Sequence, residues 1–340
     1  MKHPIRRRVM LAAFQVLRGL IRWLPLSVAQ ACGRFLGYLC YALLGSYRRL
    51  TFAHLHLALG PRASPATCAR VARGVFVNLA KSFLEWLVMD RLSPEALRRR
   101  VDVYGLHYLR EALANGRGVI ALSAHFGNWE LLAMTLAGLG FQGGVLARRL
   151  RDPEFEPFLT QMRARKGVMT YARGSVKEIA RVLRENRIIG MMPDQDIDSL
   201  DGVFVEFFDR PAYTPVGPAA LSLMTGAVIL PCFLVRDGRR FRLVIEEPLV
   251  VARQGDRAQD LVAITDAWSR VVESYIRRYP DHWVWMHRRW KTQPSAVHSP
   301  QSTVHRQEQT AVQSAGRQRI PHMVFSLLLV TCPLSLVTLS

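Results

Sequence analysis

The chain contains 340 residues, half of them hydrophobic, which is enough to bury a sizeable core in one large domain or two smaller ones. Its formal net charge of +20 indicates an anionic partner, which is a membrane surface, a phosphorylated ligand or nucleic acid. Aromatic and basic residues are not interleaved in a recognisable nucleic-acid motif, so no nucleic-acid partner is predicted.

The amino-terminal fifty residues contain no Asp or Glu, and their basic residues separate apolar runs at 9–14 and 35–44. Arg18 and Arg22 interrupt the apolar sequence, which argues against a cleaved signal peptide, and no stretch reaches the roughly 18 uncharged apolar residues of a spanning helix. Basic and apolar residues at helical spacing favour a membrane-associated helical segment over residues 1–50, lying in an anionic membrane surface. A core helix with basic flanks is the alternative. The positive-inside rule places the basic flank in the cytoplasm.

Residues 51–293 alternate short apolar runs with helical patterns and form the predicted catalytic domain. The predicted strands are 118–124, 143–147, 168–171, 188–192, 228–235 and 241–246. The predicted helices are 153–165, 175–185, 215–225 and 258–279. This alternation predicts an α/β fold in which a mostly parallel central sheet is flanked by helices. A turn at Asp237-Gly238 predicts that the last two strands form a hairpin.

The segment 125–130, His-Phe-Gly-Asn-Trp-Glu, lies between a predicted strand and a predicted helix. His125 stands at the end of the strand, and Glu130 lies in the first turn of the helix. A histidine held by a carboxylate can take a proton from a hydroxyl, so we expect Glu130 to orient His125 as a general base. Gly127 lets the backbone approach a substrate, and N–H groups near Asn128 can face a developing oxyanion. These parts suit acyl transfer to an alcohol.

Other candidate residues follow neighbouring predicted strands. Arg148 follows the strand 143–147, and Asp194 follows the strand 188–192. Since working residues gather at the carboxyl ends of strands in such sheets, we expect these side chains to converge with His125.

The chain resembles the lauroyl/myristoyl acyltransferase family of lipid A biosynthesis, within the glycerolipid acyltransferase superfamily. The resemblance covers about residues 10–293 and is carried by five blocks in order. They are the HxxxxE pattern of His125 and Glu130, Arg148 after the next strand, the RxxxG pattern from Arg163 to Gly167, the segments 193–196 and 202–208, and the closing segment 283–291. Two positions depart from the expected pattern, because Glu206 stands in place of proline and Asp209 in place of glycine.

The resemblance implies a catalytic pair of His125 and Glu130. It also implies that Arg163 binds a phosphate or polarises the reacting carbonyl, with Arg165 and Arg148 as further substrate-binding residues, and that Asp194 belongs to an acceptor pocket. Simpler interpretations remain for each: the arginines can be a solvated helix face, and Asp194 can shape a turn. For the aromatic segment 283–290, core packing is the favoured interpretation.

The implied reaction moves a fatty acyl chain from an acyl carrier protein thioester to a hydroxyl of a lipid A precursor, without an acyl-enzyme, at the cytoplasmic face of the bacterial inner membrane. A different glycolipid acceptor, such as a phosphatidylinositol mannoside, is the first alternative. A membrane-bound thioesterase or a lipid-binding protein is the second. The implied partners are acyl carrier protein, the glycolipid and the anionic membrane surface. We predict neither cofactor nor metal, because the cysteines form no CxxC pair and His125 and Glu130 match no metal pattern.

Residues 294–340 differ in character from the domain before them. The polar part, 294–321, predicts a linker, and the short apolar run at 323–339 predicts a tail that is interrupted by Pro333. We place this segment outside the acyltransferase domain, although the apolar run can act as a second membrane anchor.

Overall fold

A computed structural model describes residues 4–89, 91–148 and 155–294 of the chain. The helices are α1 (Pro4–Ile21), α2 (Leu26–Leu43), α3 (Gly45–Leu59), α4 (Pro65–Met89), α5 (Pro94–Arg98), α6 (Leu106–Ala114), α7 (Trp129–Gly138), α8 (Phe155–Ala164), α9 (Val176–Arg184), α10 (Gly217–Thr225) and α11 (Arg257–Arg278). The strands are β1 (Val101–Tyr104), β2 (Val119–Leu122), β3 (Gly143–Ala147), β4 (Val168–Ala172), β5 (Ile188–Met191), β6 (Gly202–Glu206), β7 (Pro211–Pro215), β8 (Val228–Asp237) and β9 (Arg240–Ile245).

Seven strands form the central sheet in the order β1-β9-β8-β2-β5-β3-β4. Strands β8, β2, β5, β3 and β4 run parallel to one another, and the β8–β9 hairpin reverses the direction for β9 and its parallel neighbour β1. The predicted α/β fold with a mostly parallel sheet is therefore confirmed, as is the hairpin at Asp237-Gly238. All four residues of β2 are buried, which is typical of a strand covered on both faces.

The sequence did not reveal β1 or the separate two-stranded β6–β7 ribbon. Strand β1 contains only four residues and lies at the edge of the sheet. Strand β7 begins and ends with proline, a residue that argues against a strand unless the strand is an edge strand. Strand β1 pairs with β9, which is distant in sequence, whereas β6 and β7 pair with each other across a short turn.

Helices α2 and α4 approach each other closely through two glycines of α2. A methyl group on Gly37 would lie 2.5 Å from the Val77 Cα atom, and one on Gly33 would lie 2.8 Å from the Lys81 Cα atom. Real side chains do not tolerate such distances, so any larger residue would push the helices apart. This contact fixes the amino-terminal segment against the long, largely buried helix α4.

The surface of α1 and α2 that faces away from α4 carries large apolar side chains. Phe35 and Leu43 on α2 are 72% and 71% exposed, and Trp23 and Leu20 are 69% and 68% exposed. We call these four residues the apolar face. Within the described ranges, no helix combines the length and the apolar character needed to cross a membrane. The association of residues 1–50 with a membrane surface stays a prediction.

Some predictions concern parts of the chain outside the described ranges. The apolar tail and nearly all of the polar linker fall beyond residue 294, and the start of the predicted helix 153–165 falls within 149–154. No structural statement follows for these segments.

The closing segment returns to the sheet edge and packs on α3. Buried His54 of α3 donates a hydrogen bond from Nδ1 to the Trp285 carbonyl oxygen, at 2.7 Å, and its ring meets Trp290 edge-on. A carbonyl oxygen can only accept, so Nδ1 of this imidazole carries a proton. Burial lowers the pKa of His54 to about 4, although the bond to Trp285 opposes the shift.

His54 makes folding stability dependent on pH. Between pH of about 6.5 and 4 the unfolded chain binds a proton at this histidine that the folded protein does not bind, so stability falls on acidification by about 1.4 kcal/mol per pH unit. Below about pH 4 both states are protonated and the dependence ends. We expect His54→Gln to reduce the slope of unfolding free energy against pH in this window by about 1.4 kcal/mol per pH unit, which corresponds to one proton. Urea unfolding in detergent measures this slope. The slopes of both proteins should coincide between pH 7 and 8, and equal slopes between pH 4.5 and 6 would show that His54 titrates alike in both states.

Candidate active site

The carboxyl ends of four parallel strands bring polar side chains to one edge of the sheet. His125 follows β2, Arg148 follows β3, Arg173 follows β4 and Asp194 follows β5. Since β2 pairs with β5 and β5 pairs with β3, His125, Arg148 and Asp194 are neighbours in space. The predicted convergence of His125, Arg148 and Asp194 at this edge is confirmed at the level of strand topology.

His125 and Asp194 form a buried pair. The His125 Nδ1 atom lies 2.8 Å from Asp194 Oδ1, and the His125 backbone N–H donates to Asp194 Oδ2 at 3.0 Å. Both side chains are nearly inaccessible to solvent, at 4% and 1% exposure. A carboxylate accepts hydrogen bonds, so the neutral imidazole carries its proton on Nδ1. The lone pair on Nε2 is then available as a base, and Nε2 has no hydrogen-bond partner among the described residues.

Asp194 is ionised in this environment. Burial by itself raises the pKa of the Asp194 carboxyl, but His125 and a hydrogen bond from the Trp283 indole lower it to about 2. The indole Nε1 donates to Asp194 Oδ2 at 2.8 Å. With one oxygen occupied by Trp283 and the His125 backbone, the other oxygen has a fixed direction toward the imidazole. The arrangement holds both the tautomer and the orientation of His125.

These contacts correct the pairing expected from the sequence. Glu130 does not supply the bond to His125 Nδ1. Its carboxylate instead accepts two bonds from Arg163, from Nε at 3.0 Å and from Nη2 at 2.5 Å. The spacing of HxxxxE places Glu130 in the first turn of α7, but that turn directs its carboxylate to the guanidinium of α8, while Asp194 reaches His125 across the β2–β5 pair. Burial lowers the pKa of Arg163, but the Glu130 charge and hydrogen bond outweigh it and raise the pKa.

A cavity of about 280 Å³ opens beside this pair, between α7, α8 and strands β3, β4 and β5. His125, Glu130 and Arg163 line one part of it. The rest is mainly apolar, and its lining includes Leu132, Leu136, Phe141, Val145, Leu159 and Val168. The chemistry-bearing side chains therefore line the same cavity as many apolar ones, and an apolar lining is the surface that a hydrocarbon chain requires.

Gly127 and Asn128 have structural tasks in the turn between His125 and Glu130. Gly127 has a φ of +59°, and a methyl group there would lie 1.9 Å from the Leu234 carbonyl oxygen, so only glycine fits. Its N–H already donates to the His282 carbonyl oxygen at 2.9 Å. The Asn128 side chain caps α7 by accepting from the Leu131 N–H at 3.1 Å. Neither residue lines the cavity, and their binding of substrate stays a prediction.

Of the remaining predicted residues, some line the cavity and others do not. Arg148 lines the cavity, as does Arg173, which the sequence did not single out. Burial, and then the nearby charge of Arg148, lower the pKa of Arg173. Arg165 is exposed and does not line the cavity, which favours the solvated-face interpretation for this residue. Asp194 holds His125 and is absent from the lining of this cavity, and its place in an acceptor pocket stays a prediction.

Trp283 contacts Asp194, and sequence reasoning did not assign this contact to it. Core packing was the favoured interpretation of the closing segment, and Trp283 is indeed buried against Phe207 and Trp285. Its indole N–H nevertheless orients Asp194. An available signal was that a buried tryptophan N–H needs an acceptor, and a strand-end carboxylate can provide one.

Comparison with known proteins identifies the family of this chain. The sequence model of the family described as bacterial lipid A biosynthesis acyltransferase matches residues 2–292. The lipid A biosynthesis lauroyltransferase of Escherichia coli (strain K12) is 27% identical over 288 residues, which cover 82% of this chain and 90% of that protein. The phosphatidylinositol mannoside acyltransferase of Mycobacterium tuberculosis (strain ATCC 25618 / H37Rv) is 30% identical over 209 residues, which cover 59% of this chain and 64% of that protein. The chain belongs to the bacterial lipid A biosynthesis acyltransferase family, and it is an acyltransferase.

Proposed function

We propose that this acyltransferase moves a fatty acyl chain from an acyl carrier protein thioester to a hydroxyl of a lipid A precursor. The observation that carries the proposal is the His125–Asp194 pair, in which Nε2 has no hydrogen-bond partner among the described residues and His125 lines a largely apolar cavity. The net charge of +20 is suited to an acidic carrier protein and to a phosphorylated glycolipid. No cofactor enters the proposed reaction.

The proposed reaction is a single displacement in a ternary complex. His125 Nε2 removes the proton from the acceptor hydroxyl while its oxygen attacks the thioester carbonyl carbon. The new C–O bond forms, the C–S bond breaks, and the proton passes from Nε2 to the departing thiolate. Asp194 stabilises the transient imidazolium without taking its proton, because an acid of pKa about 2 stays ionised at neutral pH.

The apolar part of the cavity is the proposed site of the acyl chain. Small residues line its wall on α7, where Ala133 and Ala137 stand beside the larger Leu136. The Glu130–Arg163 pair lies between this part and His125 in the proposed complex. Two of the five Arg163 N–H donors bind Glu130, which leaves Nη1 for a carbonyl or phosphate oxygen of the substrates.

Phosphatidylinositol mannoside is the second candidate acceptor. The relative that acts on phosphatidylinositol mannoside has a higher identity than the lauroyltransferase, over a shorter match. Both acceptors are anionic glycolipids with free hydroxyl groups, so the Arg148 and Arg173 charges do not distinguish them. Parallel assays with the two acceptors decide between them.

His125→Ala should reduce transfer by at least about a hundredfold, because it removes the general base. The assay is acyl transfer by purified protein from carrier-protein thioester to a lipid A precursor, to a phosphatidylinositol mannoside and to water. Transfer to either glycolipid at a rate well above hydrolysis is expected for the wild type. Hydrolysis that is independent of both acceptors would favour the thioesterase alternative, and wild-type turnover in the variant would refute the proposed base.

Asp194→Asn should reduce kcat by about 10²- to 10⁴-fold while leaving the fold intact, since an amide no longer selects the Nδ1–H tautomer or stabilises the imidazolium. Glu130→Gln is the matched variant, because it changes a carboxylate of the same cavity edge that contacts Arg163 rather than His125. If Glu130→Gln abolished activity while Asp194→Asn kept wild-type kcat, the pairing inferred from the geometry would be wrong.

We also propose that the apolar face of α1 and α2 rests on the cytoplasmic surface of the bacterial inner membrane. Two arginines adjoin it: the exposed Arg34 is on α2, and the half-buried Arg22 stacks on Trp23. Apolar burial and attraction to anionic lipid add together, at about 1 kcal/mol for each basic residue near the surface. This arrangement presents the catalytic domain to an acceptor whose acyl chains stay in the bilayer.

Phe35→Gln/Leu43→Gln should weaken sedimentation with anionic vesicles by about tenfold or more without loss of thermal stability, because both side chains are exposed and add nothing to the core. Val250→Gln is the control, since Val250 is 91% exposed but lies outside the apolar face. Equal vesicle binding by the double variant, the control and the wild type would place the membrane contact elsewhere, for example in the apolar run 323–339.

A further inference from the structure

A buried ion pair lies next to the turn between His125 and Glu130, outside the lining of the cavity. Glu85 of α4 is fully buried, and Arg236 of β8 is only 5% exposed. The two side chains make a two-point contact, from Arg236 Nε to Glu85 Oε1 at 3.0 Å and from Nη2 to Oε2 at 2.6 Å. Neither residue lines the cavity.

The polar groups around this pair complete its hydrogen bonding. Gln30 of α2 donates to Glu85 Oε1 at 2.9 Å, and Asn128 donates to Oε2 at 3.2 Å. Arg236 also donates to Asn78 and Ser82. We call the six residues the Glu85–Arg236 network: Gln30, Asn78, Ser82, Glu85, Asn128 and Arg236.

The Glu85–Arg236 network holds the turn between His125 and Glu130 at two points. The first is Asn128: its Nδ2 group binds Glu85 Oε2 and the Ser82 carbonyl oxygen, and this leaves Oδ1 to cap α7. The second is Gly127, whose carbonyl oxygen accepts from Ser82 Oγ at 3.1 Å. Both residues lie within the turn, so its position relative to β2 and α7 depends on these bonds.

The backbone of Arg236 adds a third connection. Its N–H donates to His282 Nε2 at 3.3 Å, and the His282 carbonyl oxygen accepts from the Gly127 N–H. Strand β8 extends past the end of β2, so Arg236 reaches the level of the turn. The same residue therefore contacts the turn through its side-chain network and through the closing segment.

Energetics favour a positioning role over a stabilising one. Removing a carboxylate and a guanidinium from water costs several kcal/mol for each ion, and a well-packed apolar pair is often as stable as a buried ion pair. A paired, hydrogen-bonded charge does provide direction, because each bond has a preferred geometry. The network supplies directional bonds at the one turn that joins the two chemistry-bearing residues.

We propose that Glu85 and Arg236 are positioning residues for acyl transfer: through Ser82 and Asn128 they fix the turn that sets His125 and Glu130 relative to the cavity. The proposal rests on the acyl-transfer function proposed above. Both residues act through the turn and touch neither the acyl chain nor the acceptor. Small displacements of such a turn change the attack geometry, so the network affects kcat more than it affects substrate affinity.

The test replaces the pair by apolar residues of similar size, Glu85→Leu/Arg236→Met, and measures kcat, KM for the thioester and the thermal midpoint. We expect kcat to fall by about ten- to a hundredfold, KM to change less than about threefold and the midpoint to stay within a few degrees. Arg236→Lys keeps the charge but loses the two-point contact and should give an intermediate kcat. The control is Arg253→Met/Asp260→Leu, which removes an ion pair of 3.8 Å at the start of α11 and should leave kcat unchanged.

Ser82→Ala keeps the ion pair and removes only the bond to the Gly127 carbonyl oxygen and one bond to Arg236. We expect a several-fold lower kcat with an unchanged KM, and this variant decides the matter if the double variant does not fold. Wild-type kcat in the folded double variant overturns the proposal, as does an unfolded double variant together with wild-type kcat in Ser82→Ala. Failure of the positioning role is distinguishable from failure of the proposed function. If the network variants keep wild-type kcat while His125→Ala is inactive, only the positioning role is refuted. If His125→Ala is active, the proposed function itself is refuted.

Discussion

The contact between His125 and Asp194 is the interaction on which the site depends. It joins the ends of β2 and β5, two central strands whose residues are far apart in sequence but adjacent in the sheet. Because Asp194 also accepts from the His125 backbone and the Trp283 indole, a single carboxylate fixes a side chain, a strand end and the closing segment. A displacement of any of these would alter the orientation of the His125 ring.

Two further buried ion pairs surround this contact. Glu130–Arg163 lines the cavity, and Glu85–Arg236 lies behind the turn. Within each of these two pairs, the charge of one side chain is compensated by the other. The cavity thus combines oriented polar groups with a mainly apolar lining, and a thioester with a long hydrocarbon chain has polar and apolar parts as well.

The catalytic domain and the apolar face of α1 and α2 are joined by unusually close packing. Gly33 and Gly37 bring α2 against α4, and Gln30 on the same face of α2 reaches Glu85. The helix that carries Phe35 and Leu43 outward therefore contacts, on its opposite side, the network behind the catalytic turn. In the proposed orientation, the distance from the bilayer surface to His125 is fixed by rigid helix packing rather than by a linker.

Local sequence signals determined most strands of the central sheet and the position of the proposed catalytic histidine. Continuous apolar runs predicted β2, β3, β4, β5 and the β8–β9 hairpin, because a strand buried on both faces leaves a run of apolar residues that no distant partner has to explain. The alternation with helices then predicted the parallel sheet, and strand ends predicted where His125, Arg148 and Asp194 gather. Strands β1, β6 and β7 were missed, since their existence depends on pairing rather than on their own composition.

Tertiary structure alone decided which carboxylate serves His125. The HxxxxE spacing favoured Glu130, because five residues are a short separation and Asp194 is 69 residues away. In the folded chain the start of α7 turns the Glu130 carboxylate toward Arg163, whereas the β2–β5 pairing brings Asp194 within 2.8 Å of the imidazole. Sequence fixes which side chains are present and which elements carry them, but the direction of a side chain at a strand end or helix start depends on strand order and helix packing. Those are properties of contacts between distant segments, and no local pattern encodes them.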